Sequence, residues 1–103
     1  MRVDQVLHWL CLVRSRSQAT RGCREGRVLV GGERVRPSRE IRAQDEIALR
    51  GLVGEKVRVI RIERVPERQQ SRKDAPDFYT LIREEPWDPT GLPDALPDRT
   101  AEP

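Results

Sequence analysis

The sequence predicts an α+β fold in which two helices precede a set of mainly antiparallel strands. Three observations carry that prediction. Residues 3–13, VDQVLHWLCLV, repeat apolar side chains at helical spacing. Residues 27–35, RVLVGGERV, alternate on either side of Gly31-Gly32, the pattern of a tight hairpin. A second alternating run, KVRVIRIERV, follows at 56–65.

Each element has a local reason. Val3, Val6, Leu7, Leu10 and Cys11, with Val13 beyond them, form the apolar stripe of the first helix. Asp4 sits in its first turn, where a negative charge suits the dipole, and Arg14 lies at its C-terminal end. Ser15 or Ser17 then caps a second helix that runs to about Arg24. The apolar face of that helix is thin, Ala19 and Cys23, and Gly22 inside it costs ~1 kcal/mol relative to Ala. It must therefore lean on the first helix. Gly26 suits a left-handed C-cap. Residues 36–41 are irregular and lead to Ile41, and a short strand is expected at Ile47–Leu49. Gly51 and Gly54 break the chain before the strand around Val57–Val65, whose alternation slips at Val59-Ile60 and suggests a bulge. In DFYTLIREEP, Phe78, Leu81 and Ile82 fall at helical spacing, which predicts a short C-terminal helix packed back on the body. From Pro86 onward, five prolines and four acids in 18 residues predict a disordered tail. The organisation expected is a core domain at 1–50, an extension at 51–85 and the tail at 86–103.

Composition narrows the function. A chain of 103 residues can bury a modest core but has little room for a deep catalytic cavity. Residues 1–50 hold 11 arginines against 6 acids, whereas residues 86–103 hold one arginine against four acids. A basic body of that kind points to a polyanionic partner. Cys11 and Cys23 lack metal-ligand spacing, and the single histidine, His8, adds no cluster, so buried free thiols are expected and no metal or other cofactor. No nucleophile motif, phosphate loop or dinucleotide glycine pattern occurs, so nothing points to an enzyme. No apolar run approaches the length of a membrane span, and a cytoplasmic location and no membrane partner are expected.

The chemistry concentrates at residues 14–39, which hold eight arginines. Arg2 opens the first helix, Arg14, Ser15, Arg16 and Ser17 lie at the helix–helix junction, and Arg27 opens the hairpin. Arg36, Ser38 and Arg39 follow it. If the hairpin folds against the helices, the RSRS and RPSR stretches share a side, with guanidinium forks, hydroxyls and a helix N-terminus facing one anion. Arg21 and Glu25 form an i,i+4 pair suited to a merely structural role. Such a set recognises backbone shape: it has no obvious base-reading amide and no aromatic ladder for single strands. A helix-turn-helix on DNA is disfavoured because the hairpin would obstruct the second helix.

These residues resemble a known family. RVDQVL, SRSQA, GRVLVGGERVRPS and QDEI are similar in register to the small RNA-binding domain named after ribosomal small-subunit protein S-four, the alpha-L RNA-binding motif. The resemblance implies a helix pair packed on a small bent, mainly antiparallel sheet that binds structured RNA. It places Arg2, Arg14, Arg16, Ser17, Arg27, Arg36 and Ser38 at RNA-facing positions. Gln5 stands where a lysine is usual in that site, Gly31 where the hairpin usually has Asn, and Gly22 replaces a larger apolar residue. The added strand and FYTLIREE resemble stand-alone proteins of the bacterial heat-shock protein fifteen type and their ribosome-quality-control relatives. That likeness implies the large ribosomal subunit, its rRNA, peptidyl-tRNA and a factor that rescues the nascent chain as partners; a monomer is expected. A general rRNA-binding or assembly factor, an accessory to RNA modification and a protein-interaction module remain as alternatives.

Overall fold

The computed structural model describes residues 1–52 and 54–87. Of the tail expected at 86–103, residues 88–103 lie outside the described residues.

Helix α1, Val3–Trp9, buries Val3, Asp4, Val6 and Leu7. No side chain caps its start. Its first amides donate instead to the backbone of a distant loop, Val3 N to Arg39 O at 2.8 Å and Asp4 N to Pro37 O at 3.3 Å. Orphan donors at a helix start need partners, and here they tie residues 37–39 to α1. The helix stops at Trp9 rather than continuing to Val13. Cys11 takes the left-handed conformation, φ 58°. Leu12 N reaches back to Leu7 O at 2.9 Å, and Cys11 N to His8 O at 3.1 Å. That is a Schellman ending, with buried Leu12 closing over buried Leu7. The apolar periodicity past residue 9 therefore belongs to a reversal of the chain that still feeds the core.

Helix α2, Arg16–Arg24, starts at Ser15, whose Oγ accepts from Gln18 N at 3.1 Å. Gln18 Oε1 in turn accepts from Arg14 N at 2.7 Å. The helix ends on Gly26, φ 74°, through Gly26 N to Cys23 O and Arg27 N to Gly22 O. Both caps fall where the sequence predicts them. Gly22 lets the helix approach its neighbours closely, since a Cβ there would stand 2.7 Å from Leu52 Cδ1 and 3.4 Å from Val28 Cγ2.

Five antiparallel strands form one sheet in the order β2-β1-β3-β4-β5. They are β1 Val28–Val30, β2 Glu33–Arg34, β3 Glu46–Arg50, β4 Lys56–Ile62 and β5 Tyr79–Pro86, with a 3₁₀ helix at Ala75–Phe78 before β5. The β1–β2 turn has Gly31 and Gly32 at φ 59° and 83°, the primed geometry their pairing predicts. Val28, Val30, Ile47, Leu49, Ile60 and Ile62 bury one sheet face against Val3, Val6, Leu7, Leu10, Ala19 and Cys23 of the helical layer. Each buried Val, Leu or Ile among them contributes ~1.5–3 kcal/mol of burial energy. Ile41 and Ala75 complete this core, so residues 56–79 share it with the N-terminal half.

The expected fold class holds, but its short C-terminal helix does not. Tyr79–Pro86 is a strand, and only Ala75–Phe78 turns helically. The i,i+3,i+4 spacing of Phe78, Leu81 and Ile82 misleads because Leu81 and Ile82 are 45% and 44% exposed and form no core face. The unpaired edge of β4 decides the matter: β5 satisfies its ladder over seven register pairs, from Lys56↔Pro86 to Ile62↔Tyr79. Charge supports that register, with Glu84 3.3 Å from Arg58 and 3.8 Å from Lys56, and Thr80 Oγ1 donating to Glu63 at 2.6 Å. The predicted irregularity at Val59-Ile60 is present. Its extra residue is Ile82, on β5 rather than on β4.

Candidate nucleic-acid interface

The loop 37–39, bonded to the start of α1, brings two distant pieces of sequence, Arg2 and residues 34–38, against one face of α2. The result is a shallow cleft of about 580 Å³ lined by Arg2, Thr20, Cys23, Arg24, Arg34, Val35, Arg36, Pro37 and Ser38. It continues along α2 past Arg2, Thr20 and Arg24 to Asp4, Arg16, Ser17 and Arg21. Arg16, Thr20 and Arg24 stand four residues apart, one turn each, which is why a single helix face carries the whole row.

Asp4 is the sole acid among the described residues on these walls, and it is buried. Its carboxylate accepts from Arg2 Nε at 3.2 Å, Arg2 Nη2 at 3.1 Å and Thr20 Oγ1 at 3.2 Å, and Arg16 Nε lies 3.6 Å away. Those two arginines keep about half of their side-chain surface exposed, 49% and 47%. Asp4 therefore fixes the inner side of each guanidinium while leaving the outer donors for a ligand. Bidentate forks held in this way suit phosphate oxygens. Arg34 is held too, its Nη2 donating to Arg24 O at 3.0 Å across Gly26. Arg21, Arg24 and Arg36 have no carboxylate within 4 Å among the described residues. Glu25 pairs with Arg27 at 2.9 Å instead of with Arg21, so the i,i+4 pair expected there does not form and Arg21 is available.

Of the residues the sequence nominates, Arg2, Arg16, Ser17, Arg36 and Ser38 come together in this cleft. Arg39 follows directly and is exposed, its carbonyl bonded to α1. Ser15 is exposed beside the cleft, with its hydroxyl engaged as the cap of α2, and Gln5 is half-buried on α1. Two others stand elsewhere. Arg27 pairs with Glu25, donates to Gly51 O at 3.4 Å and lies 5.1 Å from the Trp87 ring centroid. Trp87 covers Gly51 so closely that no Cβ would fit there. Arg14 lines a different hollow with Arg72, Pro76 and Tyr79.

Sequence reasoning leaves out Thr20, Arg24 and Arg34 as contacts. The four-residue spacing Arg16-Thr20-Arg24 was the available signal for the first two. Arg34 carries none, because only the closure of the hairpin onto α2 brings it there.

Neither cysteine is bonded to the other. Cys23 is buried, and burial together with the Asp4 carboxylate pushes its thiol up to about 11, so it stays protonated and unreactive. Cys11 is half-buried, its Sγ donating to Gln70 O at 3.3 Å. No helix among the described residues is long and apolar enough to cross a membrane.

The S4 domain model matches residues 1–47 of this chain. A protein of Listeria monocytogenes serovar 1/2a described as an RQC P-site tRNA stabilizing factor is 32% identical over 88 residues, 85% of this chain and 92% of its own. A protein of the same description from Bacillus subtilis is 25% identical, covering 82% of this chain and 95% of its own. Among solved structures, trimeric Heat Shock Protein 15 of Vibrio cholerae superposes with a TM-score of 0.74 at 26% identity, over 80% of this chain and 81% of its own. The solution structure of hypothetical protein HP1423 does so with a TM-score of 0.66 at 31% identity, over 82% of this chain and all of its own.

Proposed function

The chain belongs to the S4 domain family of RNA-binding proteins, and we propose that it acts in ribosome quality control by docking on a large ribosomal subunit and steadying the peptidyl-tRNA held there. The observation that carries this reading is the cleft along α2, lined by arginines from the N-cap of α1, from α2, from β2 and from the loop 36–38, with its single acid already engaged. Such a surface binds the backbone of folded RNA and reads its shape. Arg2 and Arg16, fixed by Asp4, contact one phosphate run, while Arg24 and Arg36 contact the neighbouring one. Ser17 and Ser38 supply hydroxyls to phosphate or ribose oxygens. The protein makes and breaks no covalent bond. The likeness to relatives described as P-site tRNA stabilizing factors supports tRNA as part of the target, and a cytoplasmic location follows from a ribosomal partner.

The experiment is sedimentation of the purified chain with large subunits, empty or carrying peptidyl-tRNA. Preferential binding to the loaded subunits is the expected result. Equal binding to both would reduce the role to general rRNA binding, and no binding to either would refute the ribosomal assignment. One observation favours a second reading, a protein-interaction module: β5 is an edge strand that exposes Leu81 and Ile82. Salt-insensitive association with a protein partner would mark that reading.

A further inference from the structure

Cations without acidic partners gather in a second place, four of the five beyond the residues that the S4 domain model covers. Arg64, Arg68, Arg72 and Lys73 lie on the connection between β4 and the 3₁₀ helix, and Arg14 stands near Arg72 across a shallow hollow. Among the described residues, none of the five has a carboxylate within 4 Å. Nearby Glu63 is engaged with Arg61 and Thr80. Glu67, which lines one hollow with Arg64 and Arg68, and Asp74 and Asp77 are exposed on the same connection, so the five cations stand against these three acids.

The connection is irregular, yet it is pinned along its length. Pro66 is fully buried. Gln70 N donates to Trp9 O at 2.9 Å, and Gln70 O accepts from Cys11 Sγ. Asp74 N and Ala75 N both donate to Ser71 O, and Ala75 is buried. Between these anchors Arg64, Arg68 and Arg72 recur every fourth residue and point their charge to solvent, all three exposed. Arg64 is held further, 4.3 Å from the Phe78 ring centroid. Anchored in this way, the loop holds its exposed cations in place on a rigid scaffold, as binding loops do.

From this arrangement we infer that Arg14, Arg64, Arg68 and Arg72 form a second polyanion site, which takes the phosphate backbone of a second RNA segment. The inference rests on the reading that the chain binds structured RNA. The first cleft lies at the N-terminal end of α1 and the second site at its C-terminal end, where Trp9 and Cys11 hold Gln70. Seven helical residues separate the two by ~10 Å along the axis, so each site can engage its own strand at once. Arginine in place of lysine, and half-buried Phe78 and Tyr79 in the floor of the hollows, favour nucleic acid over an acidic peptide.

The test crosslinks the full chain to tRNA-bearing large subunits by ultraviolet light and maps the peptides that carry nucleotides. Peptides from 64–79 and from 16–38 are both expected, joined to different RNA sequences. The double variant R68A/R72A, altered only at exposed side chains, should keep its far-UV circular dichroism. It should lose the 64–79 crosslinks, retain those at 16–38, and bind about 10- to 20-fold more weakly near 0.15 M salt, the effect of two lost phosphate contacts. Crosslinks confined to 16–38, with R68A/R72A binding like the wild type, would overturn the second site and leave the first cleft standing. Crosslinks at neither segment would overturn the RNA-binding reading itself. Retention of poly-glutamate that R68A/R72A abolishes, with RNA binding unchanged, would reassign the patch to an acidic protein partner.

Discussion

Arg24→Glu should abolish most of the affinity for structured RNA, by roughly 30-fold or more at 0.1 M salt, while leaving the fold in place. Arg24 lies where the two parts of the cleft meet, exposed and without an acidic partner among the described residues. The substitution removes one phosphate contact and puts a negative charge between the guanidinium groups that remain. Its structural cost is small. Glu at the last turn of α2 opposes the helix dipole by ~0.5 kcal/mol, and the Arg24 carbonyl that holds Arg34 is unchanged. Filter binding to a folded RNA, with circular dichroism as the control, reads both effects. Wild-type affinity in the folded variant would remove the cleft from the interface.

Asp4→Ala should weaken both stability and RNA binding, the second against the simple electrostatic expectation. Deleting a negative charge from a basic cleft ought to strengthen attraction for a polyanion. Here Asp4 is what holds Arg2, Arg16 and Thr20 in place. Without it, two guanidinium groups become mobile, must be ordered at the moment of binding, and lose preorganisation. Thr20 keeps its bond to Arg16 O, so its hydroxyl is not orphaned. Because both arginines are about half exposed, the stability loss is discounted to ~1–2 kcal/mol. Urea unfolding measures that term. RNA titration should show a several-fold loss of affinity with the salt dependence preserved, since no phosphate-binding cation has gone. Tighter binding of Asp4→Ala would show that the carboxylate restrains the arginines rather than presenting them.

The local signals in the sequence were the reliable ones. Ser15, Gly26 and the Gly31-Gly32 pair each encode a cap or turn in a few residues, and each does so in the structure. The end of α1 was not legible, because Cys11 adopts a conformation normally left to glycine and its tertiary setting imposes it. The strand nature of Tyr79–Pro86 was hidden for a related reason: what fixes it is the open edge of β4, not a property of the segment. The candidate site followed the same division. Arg2, Arg16, Ser17, Arg36 and Ser38 were readable from their clustering and from family register. Their meeting depends on the amides of α1 bonding to residues 37 and 39, a contact no local pattern announces. Arg27 shows the converse, a cation whose position suggested a ligand and whose neighbours Glu25, Gly51 and Trp87 engage it otherwise.

An arginine cleft that binds the backbone of folded RNA must lose affinity as salt rises. Affinity of the intact chain for a folded RNA, measured from 0.05 to 0.5 M salt, should fall with a log–log slope of about −3 to −5, as expected for four to six neutralised phosphates. A single-stranded homopolymer of equal length should bind more weakly throughout. A slope near zero, or equal affinity for the folded and single-stranded RNA, would show that the cleft does not bind a folded RNA backbone.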